Sequence, residues 1–267
     1  MSKSPASSMS RWGSFSPATD AVSVRLFCLP HAGGGSSLYR SWVRFFSSEV
    51  YLSAALLAGR EGRFNEPCAT NIQDITAPLV RDIVLQKITV PIVLFGHSMG
   101  SILAYDIAQR LESEGIHVAA LCVSGRLPPH IVYGGDMHRL SDNEFLQRLK
   151  RLGGIHDVLL EEPEILRQFL PSMRCDYQVL ESYRTAPIQL NSPIIICDGE
   201  NDSETNMVEM LRWQDLTRQP IFYQRFPGGH FYVREQGCAI ATYLQNCFTQ
   251  LSLLERSSLP LDYSAVP

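Results

Sequence analysis

The run PIVLFGHSMGSILAYDIAQRL, residues 91–111, leaves this chain few ways to fold. Pro91 to Phe95 is an apolar, β-branched stretch of the kind that makes a buried strand. From Ser101 onward, Ile102, Leu103, Ile107 and Leu111 recur at helical spacing. Between them lies Gly96-His97-Ser98-Met99-Gly100, a G-x-S-x-G motif in the strand-to-helix setting that gives it meaning. A serine hydroxyl is a poor nucleophile, so it must stand on a tight turn where a histidine can reach it. Gly96 and Gly100 permit the strained turn and close strand–helix packing, and the helix aims its first amides at the position of a developing oxyanion. Ser98 is therefore the candidate nucleophile. His97, the variable residue of the motif, is expected to pack or cap rather than act as the base.

A strand–turn–helix of this type belongs to an α/β fold, and 267 residues suffice for one such domain. Strands are expected over 22–30, 52–57, 91–95, 117–124, 193–197 and 221–226. Helices are expected over 39–46, 72–86, 101–111, 204–217 and 235–254. The alternation predicts a mainly parallel central sheet with helices on both faces. Residues 126–186 break the rhythm: they carry only helical patterns (142–152, 163–170 and 171–184) and read as a lid inserted between the fourth and fifth parallel strands. Within it, Arg148-Leu149-Lys150-Arg151 reads as a solvated helix face. Residues 1–21 read as a disordered, serine-rich leader, 22–255 as a single domain, and 256–267 as a flexible tail.

Functional residues in such sheets gather beyond the carboxyl ends of the strands. The first strand runs into His31-Ala32-Gly33-Gly34-Gly35, which lacks the spacing of a phosphate loop and suits an oxyanion hole instead. Its backbone donors would be the N–H groups of Ala32 and Met99. Asp198-Gly199-Glu200-Asn201-Asp202 follows the strand at 193–197 and offers three carboxylates. Asp202, in G-x-x-D, is the choice for the acid that orients the base, with Asp198 and Glu200 as the other contenders. Pro227-Gly228-Gly229-His230 follows the last strand, and His230 is the candidate base. The order Ser98, Asp202, His230 is the Ser…Asp…His order of α/β-hydrolases.

Composition excludes several classes. A net charge of −4 gives no electrostatic reason to expect nucleic acid or an anionic membrane as partner. No apolar run approaches a membrane span, and the N-terminus lacks the apolar core of a secretory signal. Seven cysteines without a C-x-x-C pair argue against a zinc site or a disulfide framework and for a cytoplasmic location.

With these pieces placed, the chain resembles the type II (editing) thioesterases, stand-alone α/β-hydrolases that accompany nonribosomal peptide and polyketide synthases. LFCLPHAGGGSSLYRSW, AGREGRFNEP, FGHSMGSILAYDIAQRL, FLPSMRCDYQVLESYR, DGENDSET and FPGGHFYV carry the resemblance over residues 25 to about 250. One departure is Ala58, where the family usually has proline before Gly-Arg. The resemblance implies Ser98 as nucleophile, His230 as base and Asp202 as its orienting acid. It also implies a substrate, an acyl group held by thioester on the phosphopantetheine arm of an acyl- or peptidyl-carrier protein. No cofactor and no metal are expected, and a monomer is the default. Siderophore, antibiotic and toxin pathways all fit. A small-molecule carboxylesterase and a non-catalytic carrier-binding helper are the alternatives on the same scaffold.

Overall fold

The computed structural model describes residues 10–17, 19, 21–131, 135–154 and 163–255. Its centre is a seven-stranded sheet in the order β1-β3-β2-β4-β5-β6-β7. The strands are β1 (Trp12–Ser14), β2 (Val24–Leu29), β3 (Val50–Ala55), β4 (Ile92–His97), β5 (Val118–Ser124), β6 (Ile194–Gly199) and β7 (Ile221–Phe226). All neighbouring pairs are parallel except β1 with β3. The α-helices are α1 (Ser37–Arg40), α2 (Ile72–Leu85), α3 (Met99–Ser113), α4 (Asp142–Arg151), α5 (Pro163–Ser182), α6 (Met207–Met210) and α7 (Gly237–Gln250).

The apolar strands are continuous because both faces of the sheet are covered, and the two faces sort by the two-residue period. Leu94, Leu121, Ile194 and Ile196 face one core, with Ile83 of α2 and Leu103 of α3. Val93, Phe95, Cys122, Ile195 and Cys197 face the other, with Trp42 and with Leu244 and Phe248 of α7.

Four expectations need correction. Trp12–Ser14, assigned from sequence to a disordered leader, forms the antiparallel edge strand. The buried Trp12 anchors it, its ring edge-on to Phe27 and its Nε1–H donating to Leu79 O at 3.1 Å. Residues 1–9, 18 and 20 of the expected leader and the tail at 256–267 lie outside the described residues. The helix expected over 39–46 is one turn of α1 followed by a 3₁₀ segment, Ser41–Phe45. The helix expected over 204–217 is likewise α6 followed by a 3₁₀ segment, Leu211–Leu216. Its buried residues Met210, Trp213 and Leu216 recur every third position, the period that a 3₁₀ helix lines up on one face. Finally, the two lid helices expected over 163–170 and 171–184 are the single helix α5, which runs through Pro171. Proline removes one backbone donor, but apolar anchors on both sides hold the helix together. Leu166, Leu170 and Met173 join a lid cluster with Met137, Phe145 and Leu149, while Val179 and Leu180 join the main core.

Candidate active site

The β4–α3 turn is a strained connection held from several directions. Ser98 has φ 52° and ψ −116°, a conformation costly for any residue with a side chain. Its N–H donates to Ser124 O at 2.8 Å, and Ser101 Oγ bridges Gly96 O and Ser124 O at 2.8 and 3.0 Å. The flanking glycines are sterically required. A Cβ on Gly96 would lie 2.0 Å from Gly100 O, and one on Gly100 would lie 2.1 Å from Leu29 O.

The acid and base loops stand side by side at the same edge. Glu200 N–H donates to Phe226 O and Asn201 N–H to Gly228 O, each at 2.9 Å, which stitches the turn after β6 to the turn after β7. The stitch brings His230 between two partners. Its Nδ1–H donates to Asp202 Oδ2 at 2.8 Å, and Ser98 Oγ–H donates to its Nε2 at 3.0 Å. This tautomer is the one the two partners require, since the carboxylate only accepts. Ser98, Asp202 and His230 are all buried. The arrangement can move the serine proton to the imidazole while the carboxylate steadies the imidazolium that forms.

The competing side chains lie elsewhere. Asp198 accepts from Thr205 Oγ1 at 2.6 Å and from Gly199 N–H at 3.0 Å, and burial pushes its pKa up. Glu200 is exposed. His97 is packed inside. Its Nδ1 shares a 2.9 Å hydrogen bond with Ser124 Oγ, which is bonded in turn to Tyr232 OH at 2.6 Å. Burial pushes its pKa far below the usual histidine range, so it is neutral. His31 is also buried, and desolvation lowers its pKa to about 3, against a raising backbone bond to Ala32.

The glycine loop after β2 lies under the lid. Gly33 (φ +75°) packs so closely on Met173 of α5 that a Cβ there would lie 2.9 Å from the Met173 side chain. Its N–H donates to Asp176 Oδ2 at 2.7 Å. Asp176 also receives both terminal nitrogens of Arg60, at 2.7 and 2.8 Å, and Arg60 Nη1 reaches Gly34 O at 2.9 Å. The pair is buried, with side chains 6% and 3% exposed. Burial opposes the Arg60 charge, but Asp176 outweighs it and the pKa ends above its usual value. Neither residue is singled out by the sequence reading. A signal exists in hindsight: Asp176 interrupts the apolar stripe Leu166, Leu170, Met173, Leu180, and an acid on a buried helix face needs a cation.

The lid is tied down a second time. Arg234 donates to Gly153 O and Gly154 O at 3.1 and 3.2 Å and lies over the Phe231 ring, 4.3 Å from its centroid. Between lid and strand ends opens a cavity of about 660 Å³. Ile102, Leu127, Met137, Tyr177, Leu180 and Glu204 line it, the last lying two residues past Asp202.

The Thioesterase domain family matches residues 24–247, a span that begins at β2 and ends within α7. The chain belongs to the thioesterase family. It is 32% identical over 232 residues to the gramicidin S biosynthesis protein GrsT of Aneurinibacillus migulanus, covering 86% of this chain and 90% of that protein. Among solved structures it is similar to the type II thioesterase BorB from the borrelidin biosynthetic cluster. That likeness has a TM-score of 0.80 at 33% identity and covers 88% of this chain and 96% of the other. It is also similar to YbtT, the type II thioesterase from the yersiniabactin pathway, with a TM-score of 0.82 at 26% identity over 90% and 99% of the two chains. The fold is that of the α/β-hydrolase thioesterases, and the activity is hydrolysis of thioesters. No helix among the described residues is long and apolar enough to cross a membrane.

Proposed function

We propose that this protein is a stand-alone type II thioesterase that releases stalled or mis-primed acyl groups from the phosphopantetheine arms of carrier proteins. The observation that carries the reading is His230 held between Ser98 Oγ and Asp202 Oδ2. The names of GrsT, BorB and YbtT support the setting, a nonribosomal peptide or polyketide synthase of the siderophore or antibiotic kind.

In the proposed reaction His230 Nε2 takes the Ser98 proton as Oγ bonds to the thioester carbonyl carbon. The N–H groups of Ala32 and Met99 hold the oxyanion. Met99 is the first residue of α3, so its amide has no acceptor within the helix. Collapse breaks the C–S bond, and the pantetheine sulfur leaves with the proton from His230. A water molecule, deprotonated by the same nitrogen, then splits the Ser98 ester and releases the acid. Water is the only co-substrate, and no metal or cofactor takes part. The free cysteines, with Cys28, Cys122 and Cys197 buried in strands, support a reducing cytoplasm as the location. A monomer is the proposed state.

The test is hydrolysis of acetyl- and longer-acyl-loaded carrier protein by wild type and Ser98→Ala, with p-nitrophenyl acetate as control. Loaded carrier should turn over, and Ser98→Ala should lower kcat by at least about 10⁴-fold. Turnover of the simple ester alone would mark a free-standing esterase, and carrier binding without turnover of either would mark a helper protein.

A further inference from the structure

We propose that Asp176 and Arg60 are positioning residues, through which the seated lid helix α5 aims the Ala32 amide at the oxyanion. The inference rests on the oxyanion role given to Ala32 above.

A run of glycines carries no side chains to hold its shape, so its conformation is set by what its peptide groups bond. Ala32 sits between two peptide planes, and both are pinned. The plane before it is fixed by Gly34 N–H donating to His31 O at 2.9 Å. The plane after it is fixed at both ends: His31 Nδ1–H donates to Ala32 O at 2.9 Å, and Gly33 N–H donates to Asp176 Oδ2 at 2.7 Å. Of these three bonds, only the one to Asp176 comes from outside the loop. Arg60 holds that carboxylate with two nitrogens and grips the loop again at Gly34 O. Glu61 anchors the far end, accepting from Ser36 N–H and Ser37 N–H at 2.9 Å each.

An apolar pair could fill the same buried space without desolvating two charges. It could not accept the Gly33 proton. The carboxylate therefore does something that packing alone does not require, and it does so from the lid. When α5 lifts, Asp176 leaves with it, and the Ala32–Gly33 peptide loses its one bond from outside the loop, while Arg60 and Glu61 still hold the loop further on. The Ala32 amide is held on both sides only under a closed lid.

The experiment compares wild type, Asp176→Ala, Arg60→Met and the double variant Arg60→Met/Asp176→Leu, with Ser98→Ala as control. Each is measured for kcat and KM on p-nitrophenyl acetate and acyl-carrier protein, thermal midpoint, and affinity for a boronic acid that forms a tetrahedral adduct on Ser98. The single variants should lose about 10- to 100-fold in kcat with KM within about threefold, and boronate affinity should fall in parallel. The double variant should recover the thermal midpoint of wild type but not its kcat. Full kcat in the folded double variant, a loss carried entirely by KM, or unchanged boronate affinity would overturn the positioning role while leaving Ser98 chemistry intact. Turnover that survives Ser98→Ala would overturn both readings.

Discussion

Ser98, Asp202 and His230 stand on turns that leave parallel strands, and β4 and β6 are buried along their whole length. The helices facing them rest on a smaller cluster of their own, Met137, Phe145, Leu149, Leu166, Leu170 and Met173. On the sheet side, position comes from backbone ladders and from glycines with no room for another atom. On the lid side it comes from one modest apolar cluster, from Val179 and Leu180 at the end of α5 packed on the main core, and from a few polar ties, Arg60–Asp176 and Arg234 to Gly153 and Gly154. Local stability follows buried apolar contact, so the two halves should open at different free energies. The half that performs proton transfer should therefore be the harder to open, and the lid half the easier.

The sharpest way to break this contrast is to attack the rigid half. Gly96→Ala should cost about 4 kcal/mol or more and leave little folded protein, because the new Cβ meets backbone that cannot move. Denaturant unfolding of whatever folds reads it out. Phe145→Ala removes the fully buried ring of the lid cluster and should cost about 3 kcal/mol. Its effect should be confined to the lid: amides of α4 should exchange faster while those of β4 keep their protection. Amides of α4 as slow as those of β4 in wild type would erase the distinction altogether.

A third test uses pH. His31, neutral in the fold with a pKa lowered to about 3, can take a proton in the unfolded chain near pH 6.5. Between those values the unfolded state binds more protons, so stability should fall as pH drops from about 6.5 toward 3, by on the order of 1 kcal/mol per pH unit. His97, also pushed down by burial, acts in the same direction. His31→Gln should flatten the slope seen in urea midpoints. The smallest effect belongs to the outer lid face. Lys150 is exposed, and Lys150→Ala should shift stability by less than about 0.5 kcal/mol.

Sequence reading reached the rigid half because local pattern encodes it. An apolar run followed by a glycine-rich turn marks each strand end, and chain order then assigns the three functional side chains. It did less well wherever the decisive partner is remote. Arg60 and Asp176 are 116 positions apart, and neither segment alone reveals the other. Pro171 looks like a helix boundary until the apolar anchors on both sides are seen to share one helix. Trp12 looks like part of a polar leader because its partners, Phe27 and Leu79, come from two later elements.

That small strand at the start has a consequence for how the molecule behaves in a crowd. Without β1, the outer side of β3 would present six residues of open backbone donors and acceptors to any passing chain. With it, Ser53 to Ala55 are paired and the strand at that edge of the sheet is three residues long, too short to template an added strand. Trimming the chain to begin at Val24 should therefore leave each copy of the enzyme able to catalyse and yet more ready to stick to its neighbours.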